Sequence, residues 1–151
     1  MGRASADDAF AASVPDAEAL WYDTERWPDW IDGLSRVALL EGDWPQAGAT
    51  VTWVSNPAGR GRVVEHVLSY EPNGGQTLEV QDDSIRGRQS VAFDGLEGGV
   101  RVELALEYDL RSRSLVTPLV DVLFIRRAMA ASLRSTLTRF GAVLLGQRSG
   151  A

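Results

Sequence analysis

The sequence has no cysteine and a single histidine, His66, in 151 residues. Without cysteine there is no disulfide, no thiolate nucleophile and no zinc–thiolate site. One histidine excludes His-rich metal centres, and any Ser–His–Asp triad would have to be built on His66. Positive charge is in deficit: 15 Lys and Arg stand against 21 Asp and Glu, a net charge of −6. That balance argues against general nucleic-acid or anionic-membrane binding. Long apolar runs are missing too. The longest, Leu115 to Ile125, is interrupted by Asp121 and falls short of the ~20 residues a membrane span needs. The N-terminus lacks the apolar core of a secretory signal, and Ala6 stands where myristoylation needs Ser or Thr. Gly59-x-Gly61 and Gly74-Gly75 are too short to cradle phosphates and read as turns. These absences lead to the expectation of a cytoplasmic protein that uses neither metal nor cofactor.

What remains is one domain over residues 1–151, 44% hydrophobic and 24% charged. A chain of this length buries about 68–70% of its unfolded surface and folds without a staple. Weak alternation over residues 8–14 precedes Pro15-Asp16, a helix-start signal, and Ala17, Leu20 and Trp21 recur at helical spacing over 15–23. Thr24 to Trp30 reads as a second short helix or turn, closed by Gly33. Strands follow at 35–41, 50–55, 62–71, 76–82, 85–94 and 100–110, separated by Gly-, Pro- and Asn-rich turns. The last strand alternates cleanly: Val100, Val102, Leu104, Leu106, Tyr108 and Leu110 share one face, as in an antiparallel sheet covered on one side. From Thr117, a candidate N-cap, and Pro118 to about Leu145, the residues Val122, Ile125, Met129, Leu133, Leu137, Phe140 and Leu144 form one apolar stripe. The expected fold is therefore α+β: a curved antiparallel sheet of about seven strands wrapped around a long C-terminal helix, with two short helices after the first strand. A ligand cavity between sheet and helix follows naturally.

Several motifs carry a family resemblance: Val14-Pro15 leading into the first helix, Trp27-Pro28-Asp29-Trp30, Gly59-Arg60-Gly61-Arg62-Val63, Tyr70-Glu71-Pro72, Gly99-Val100-Arg101-Val102 and the Arg-rich last helix. Over residues 8–145 the chain resembles the helix-grip fold of the START-like (SRPBCC) superfamily, polyketide cyclases and dehydrases among them. The resemblance implies a cavity for a hydrophobic or polycyclic small molecule. The cyclase branch also carries a Trp-x-Ser-x-Arg strand. Trp53 and Ser55 match it, but Pro57 stands where that branch has arginine, leaving Arg60 or Arg62 to substitute from the loop.

Candidate chemistry is sparse. Strict alternation puts Arg62, Val64, His66, Leu68 and Tyr70 on one face, the one with more apolar area, so His66 is read as inward. There it is either a proton-transfer group or a hydrogen-bonded wall residue. Tyr108 is the second candidate catalytic residue. Candidate ligand contacts are Trp27 and Trp30 at the cavity mouth, Trp53, Ser55 and Tyr70 on its wall, Phe93 and Leu106 on the sheet, and Phe124 and Met129 on the helix. Arg88, two residues from Arg86, completes the set as an anion site if inward; the cost of burying two charges favours solvent for both. Two functions follow: a cofactor-free cyclase or dehydrase, or a non-catalytic lipid or quinone carrier. A third is an interaction protein resembling the superfamily's ribosome-associated toxins, with Arg126, Arg127, Arg134 and Arg139 as its basic patch.

Overall fold

The computed structural model describes residues 2–57, 60–111 and 119–149, the side chains of 119–124 and 147–149 excepted. Thr117, Pro118 and the side chains of Val122 and Phe124 lie outside the described residues. The elements are β1 (Gly2–Phe10), α1 (Val14–Tyr22), a 3-10 turn (Thr24–Arg26), α2 (Trp27–Trp30), β2 (Leu34–Glu41), β3 (Thr50–Ser55), β4 (Arg62–Glu71), β5 (Gly75–Gln81), β6 (Ile85–Leu96), β7 (Gly99–Leu110) and α3 (Leu119–Ser149). The strands make a seven-stranded sheet in the order β1-β7-β6-β5-β4-β3-β2, every neighbour antiparallel. This is the α+β helix-grip arrangement expected.

The helix starts follow local chemistry. Ser13 accepts a hydrogen bond from the Asp16 amide at 3.2 Å and caps α1, with proline in the first turn. Gly75 begins β5 with φ at +151°, where an added Cβ would stand 2.1 Å from the Val91 carbonyl oxygen. Only glycine lets those two strands approach so closely.

The first strand is a correction. It begins at Gly2, six residues before the weak alternation, and pairs with β7 from Gly2↔Tyr108 to Phe10↔Val100. Its sequence, Gly-Arg-Ala-Ser-Ala-Asp-Asp-Ala-Phe, contains no β-branched residue and carries little strand signal of its own. Pairing with the strongly patterned β7 holds it in place, and Arg101 on β7 donates to Asp7 at 2.6 Å across the pair.

The core lies between the sheet's inner face and α3. From the sheet come Val51, Val63, Val67, Val80, Ile85, Val100, Val102 and Leu104; from α3 come Leu133, Leu137, Phe140 and Leu144. At one end, Trp21, Trp30 and Phe10 close around Phe140, with Phe93, Trp27, Tyr22 and Trp44 extending the cluster. Phe140 meets Trp21 and Trp30 edge-on, both at 5.1 Å between ring centroids. Such contacts add to the area these rings bury. Among the described residues, no helix is long and apolar enough to cross a membrane.

Candidate functional site

Strand β4 decides which polar side chains enter the interior. Val63, Glu65 and Val67 are its buried residues, whereas Val64 and Leu68 are exposed and His66 is half-buried. The inward reading of His66 is therefore reversed. His66 pairs laterally with Thr50 on β3 and Glu79 on β5, and Thr50 Oγ1 lies 3.0 Å from its Nδ1. The phase is set by the neighbours: Val51 and Trp53 must face the core, and their partners Glu65 and Val63 go with them. A bulge between Val67 and Ser69 then shifts the alternation and returns Tyr70 to the inner side, opposite buried Gln76. Strict alternation tied Tyr70 to His66, and the bulge separates them.

Glu65 is the consequence. It is 6% exposed, and burial pushes its carboxyl up to about 7, against the lowering effects of the Arg60 guanidinium and the Trp53 indole. Sequence reasoning passed over it because a lone glutamate among valines reads as the polar side of a strand. Partner register was the signal that would have found it.

Beside it, Arg60 leaves the β3–β4 loop and passes over the Trp53 ring, 5.6 Å from the centroid. Its Nε donates to Asp82 Oδ2 at 2.6 Å. The Asp82 side chain is wholly buried, and its other oxygen accepts from the amides of Ser84 and Ile85 at 2.7 and 2.9 Å. Asp82 is thus fully occupied as the anchor of Arg60. Two buried donors in this cluster, Arg60 Nη2 and Trp53 Nε1, complete no hydrogen bond among the described residues; the indole is near enough to Glu65 to favour its carboxylate without reaching bonding geometry.

Of these side chains Trp53 and Arg60, but not Glu65 or Asp82, border a cavity of about 240 Å³ between the β3–β4 loop, the turn before β2 and α3, lined also by Ser55, Asp32, Met129 and Ser132 among others. Ser55 Oγ accepts from the Gly61 amide at 2.8 Å and fixes the loop that carries Arg60. Asp32 at the rim accepts from Ser132 Oγ at 2.9 Å. Of the expected contacts, Trp53, Ser55 and Met129 are brought together here. Arg60, not Arg62, comes to the Trp53–Ser55 strand; Arg62 points to solvent. Among the described residues no group of three or more His, Cys, Asp or Glu side chains is placed to hold a metal ion.

The other expected residues lie elsewhere. Trp27 and Trp30 belong to the aromatic core and not to the cavity lining. Trp27 donates its indole N–H to the Trp21 carbonyl at 2.8 Å, because α1 and α2 fold back on α3 and bury both rings. Phe93 packs on Trp21 and Tyr22. Leu106 and Tyr108 are buried on β7, the Tyr108 ring covering Gly2 so closely that a Cβ there would meet it. Arg88 is exposed, as is Arg86, both on the outer face where solvation was favoured. There the rung Thr50, His66, Glu79, Arg88, Glu107, Arg3 crosses six strands, above an open groove of about 600 Å³. That groove is larger than the inner cavity, and its walls mix Glu79, Arg88 and Glu107, which face one another across the strands, with Val64, Val80 and Gln81.

Tyr70 has a different partner. Its hydroxyl donates to Glu18 Oε1 at 2.8 Å, and the Asn73 amide donates to Glu18 Oε2 at 2.6 Å. Burial, then the hydrogen bond to Glu18, then its charge raise the Tyr70 hydroxyl above its usual value. Burial first, then the charge of Glu18, raises the neighbouring Tyr22 further. The pair clamps α1 onto the β4–β5 hairpin. Tyr70→Phe is expected to cost about 1.5–3 kcal/mol, the range for a hydrogen bond to a charged group, by denaturant titration at neutral pH. A loss below ~0.5 kcal/mol would show that the clamp contributes little.

The family model described as polyketide cyclase/dehydrase and lipid transport matches residues 1–144. A search of curated proteins finds no match. Among solved structures, the chain is similar to TTHA0849 from Thermus thermophilus, with TM-score 0.77 and 18% identity over 96% of this chain and 98% of that one. It is similar to a START superfamily protein from Mycobacterium smegmatis, with TM-score 0.76 and 14% identity over 97% and 99%. It also resembles DynU16, from the dynemicin biosynthetic locus, with TM-score 0.65 and 12% identity over 95% of this chain and 47% of that one.

Proposed function

Because the chain belongs to the polyketide cyclase/dehydrase and lipid-transport family, it is a ligand-binding domain, and we propose that it takes a neutral, hydrophobic small molecule between β3, the β3–β4 loop and α3. The observation that carries this reading is the meeting of a largely apolar cavity with two buried donors that lack partners, Arg60 Nη2 and Trp53 Nε1. A buried donor without a partner costs free energy, and a ligand oxygen would relieve it. The ion pair with Asp82 offsets the charge of Arg60, so a carbonyl or hydroxyl suits the site better than a carboxylate. At about 240 Å³ the cavity lies just below the ~300–1,000 Å³ of drug-sized pockets. That size suits a bicyclic ring system or a short chain.

Held in one shape, a flexible polyketide-like ligand would be prepared for cofactor-free cyclisation or dehydration, since positioning alone lowers such barriers by several kcal/mol. The second reading is a non-catalytic lipid or quinone carrier, favoured by the apolar lining and the neutralised guanidinium.

The site is tested with the neutral fluorescent probe N-phenyl-1-naphthylamine. Met129→Trp, which fills the cavity from α3, is expected to weaken probe binding about tenfold or more by overpacking, whereas His66→Ala on the outer face leaves it unchanged. Equal affinity in wild type and Met129→Trp would overturn the assignment. Product analysis after incubation with aromatic polyketides separates the two readings, because a carrier returns its ligand unaltered.

A further inference from the structure

The sheet ends in two edge strands, and their side chains differ. β1 carries Arg3, Asp7 and Asp8 and, among the described residues, no exposed large apolar side chain. Charges along an edge discourage a further strand from pairing there. β2, the opposite edge, leaves Leu39 and Leu40 50% and 44% exposed. On its side away from β3 no strand of the described residues pairs with it, so its main-chain N–H and C=O groups form an open template. Arg36 and Glu41 flank the apolar stretch, both exposed and neither in an ion pair among the described residues. The partners on β3 fix the face of each residue. Arg36, Leu39 and Glu41 lie opposite Val54, Thr52 and Thr50 on the outer face, and Val37 and Leu40 opposite Trp53 and Val51 on the inner face. Arg36 and Glu41 are an odd number of positions apart, which in a regular strand would put them on opposite faces. The bulge between Val37 and Leu39 leaves Ala38 without a partner on β3 and brings both charges to the outer face.

We propose that β2 is a self-association edge, pairing antiparallel with β2 of a second copy of this chain about a two-fold axis between Ala38 and Leu39. In that register Arg36 meets the second copy's Glu41, Val37 meets its Leu40 and Ala38 meets its Leu39, and symmetry repeats each pair. Arg36 and Glu41 share the outer face, Val37 and Leu40 the inner one, as cross-strand neighbours must. The two bulges stand opposite each other at the axis, so neither strand has a residue left over. Without the bulge this register would fail, because it would set outer side chains against inner ones. The charges also choose the direction. Opposite signs at the two ends of β2 complement a second copy laid antiparallel, whereas a parallel copy would set Arg36 beside Arg36 and Glu41 beside Glu41. Main-chain hydrogen bonds then continue the sheet from one copy into the other, the mode of β-strand addition. The segment 36–41 is short, so the contact belongs with small, transient interfaces and not with obligate ones.

The experiment follows the whole chain by sedimentation velocity from micromolar to millimolar concentration. Wild type is expected to pass from monomer to dimer over that range, with amide exchange at Val37 to Leu40 slowing as the dimer forms. Arg36→Glu and Glu41→Arg each set like charges opposite one another twice per dimer and should weaken association about tenfold or more. Mixed in equal amounts, the two variants should associate about as tightly as wild type, because each supplies the charge the other now needs. The double variant, Arg36→Glu with Glu41→Arg, should regain the dimer for the same reason. Leu39→Asp changes an exposed side chain, so its circular dichroism should match wild type while its dimer is lost. A wild type that stays monomeric to millimolar concentration would overturn the proposal. So would a dimer indifferent to the single charge reversals, or a mixture of the two variants no tighter than either alone.

Discussion

Glu65→Gln is expected to gain on wild type in stability as pH rises, the gap widening by about 3 kcal/mol between pH 4 and pH 8. The folded-state carboxyl is raised from 4.5 to about 7. Between those values the native protein binds more protons than the unfolded chain, so stability falls as pH increases. Below about 4.5 both states are protonated and burial of the neutral acid costs little. Above about 7 the native state carries the full cost of a buried carboxylate. Glutamine has the same shape and no charge, so this dependence disappears in the variant while the other carboxylates contribute equally to both proteins. Denaturant titrations of the two proteins at pH 4 and pH 8 decide it. A gap that does not change with pH would mean that Glu65 ionises as freely inside as outside.

Phe140→Ala should have the largest effect in the opposite direction, a loss of about 3–5 kcal/mol. Phe140 is fully buried and stands where three parts of the chain converge. Its ring meets Trp21 on α1, Trp30 on α2 and Phe10 at the end of β1. Removing it leaves a void lined by large rigid rings that collapse poorly, so the upper part of the range is expected. Gly141 beside it already lies so close to Phe10 that an added Cβ would stand 2.3 Å from that ring, leaving little freedom to repack. Thermal or denaturant unfolding at neutral pH measures the loss. A cost under ~1.5 kcal/mol would mean that the aromatic end is loosely packed and rearranges. This end differs from the cavity in composition: tryptophans 21, 27, 30 and 44 pack in the core, and of the tryptophans only Trp53 lines the cavity.

The position of the tryptophans shows where sequence patterns reach their limit. Periodicity located α1, the β-strands after it and α3, because each buries one continuous face and must repeat apolar residues at 3.6 or 2 to do so. It placed the apolar stripe of α3 correctly at Leu133, Leu137, Phe140 and Leu144. It could not show where β1 begins, since that strand of small and acidic residues owes its conformation to β7 and not to its own side chains. Trp27 and Trp30 are expected at the cavity mouth from the sequence, and the packing of α1 and α2 against α3 puts them in the core instead.

For the candidate site, the sequence by itself determined the chemistry available: no thiol, one histidine, a Trp53–Ser55 strand and arginines in the loop after it. Which of these meet was decided by tertiary structure alone. The demand that Val51 and Trp53 face the core turned His66 to the outer surface and Glu65 inward, and one bulge in β4 beyond them returned Tyr70 to the inner side. The ion pair with Asp82 selected Arg60 over Arg62. In a strand the choice of face is all or none, and it is set by the register with neighbouring strands, whose pairing no single strand's sequence contains.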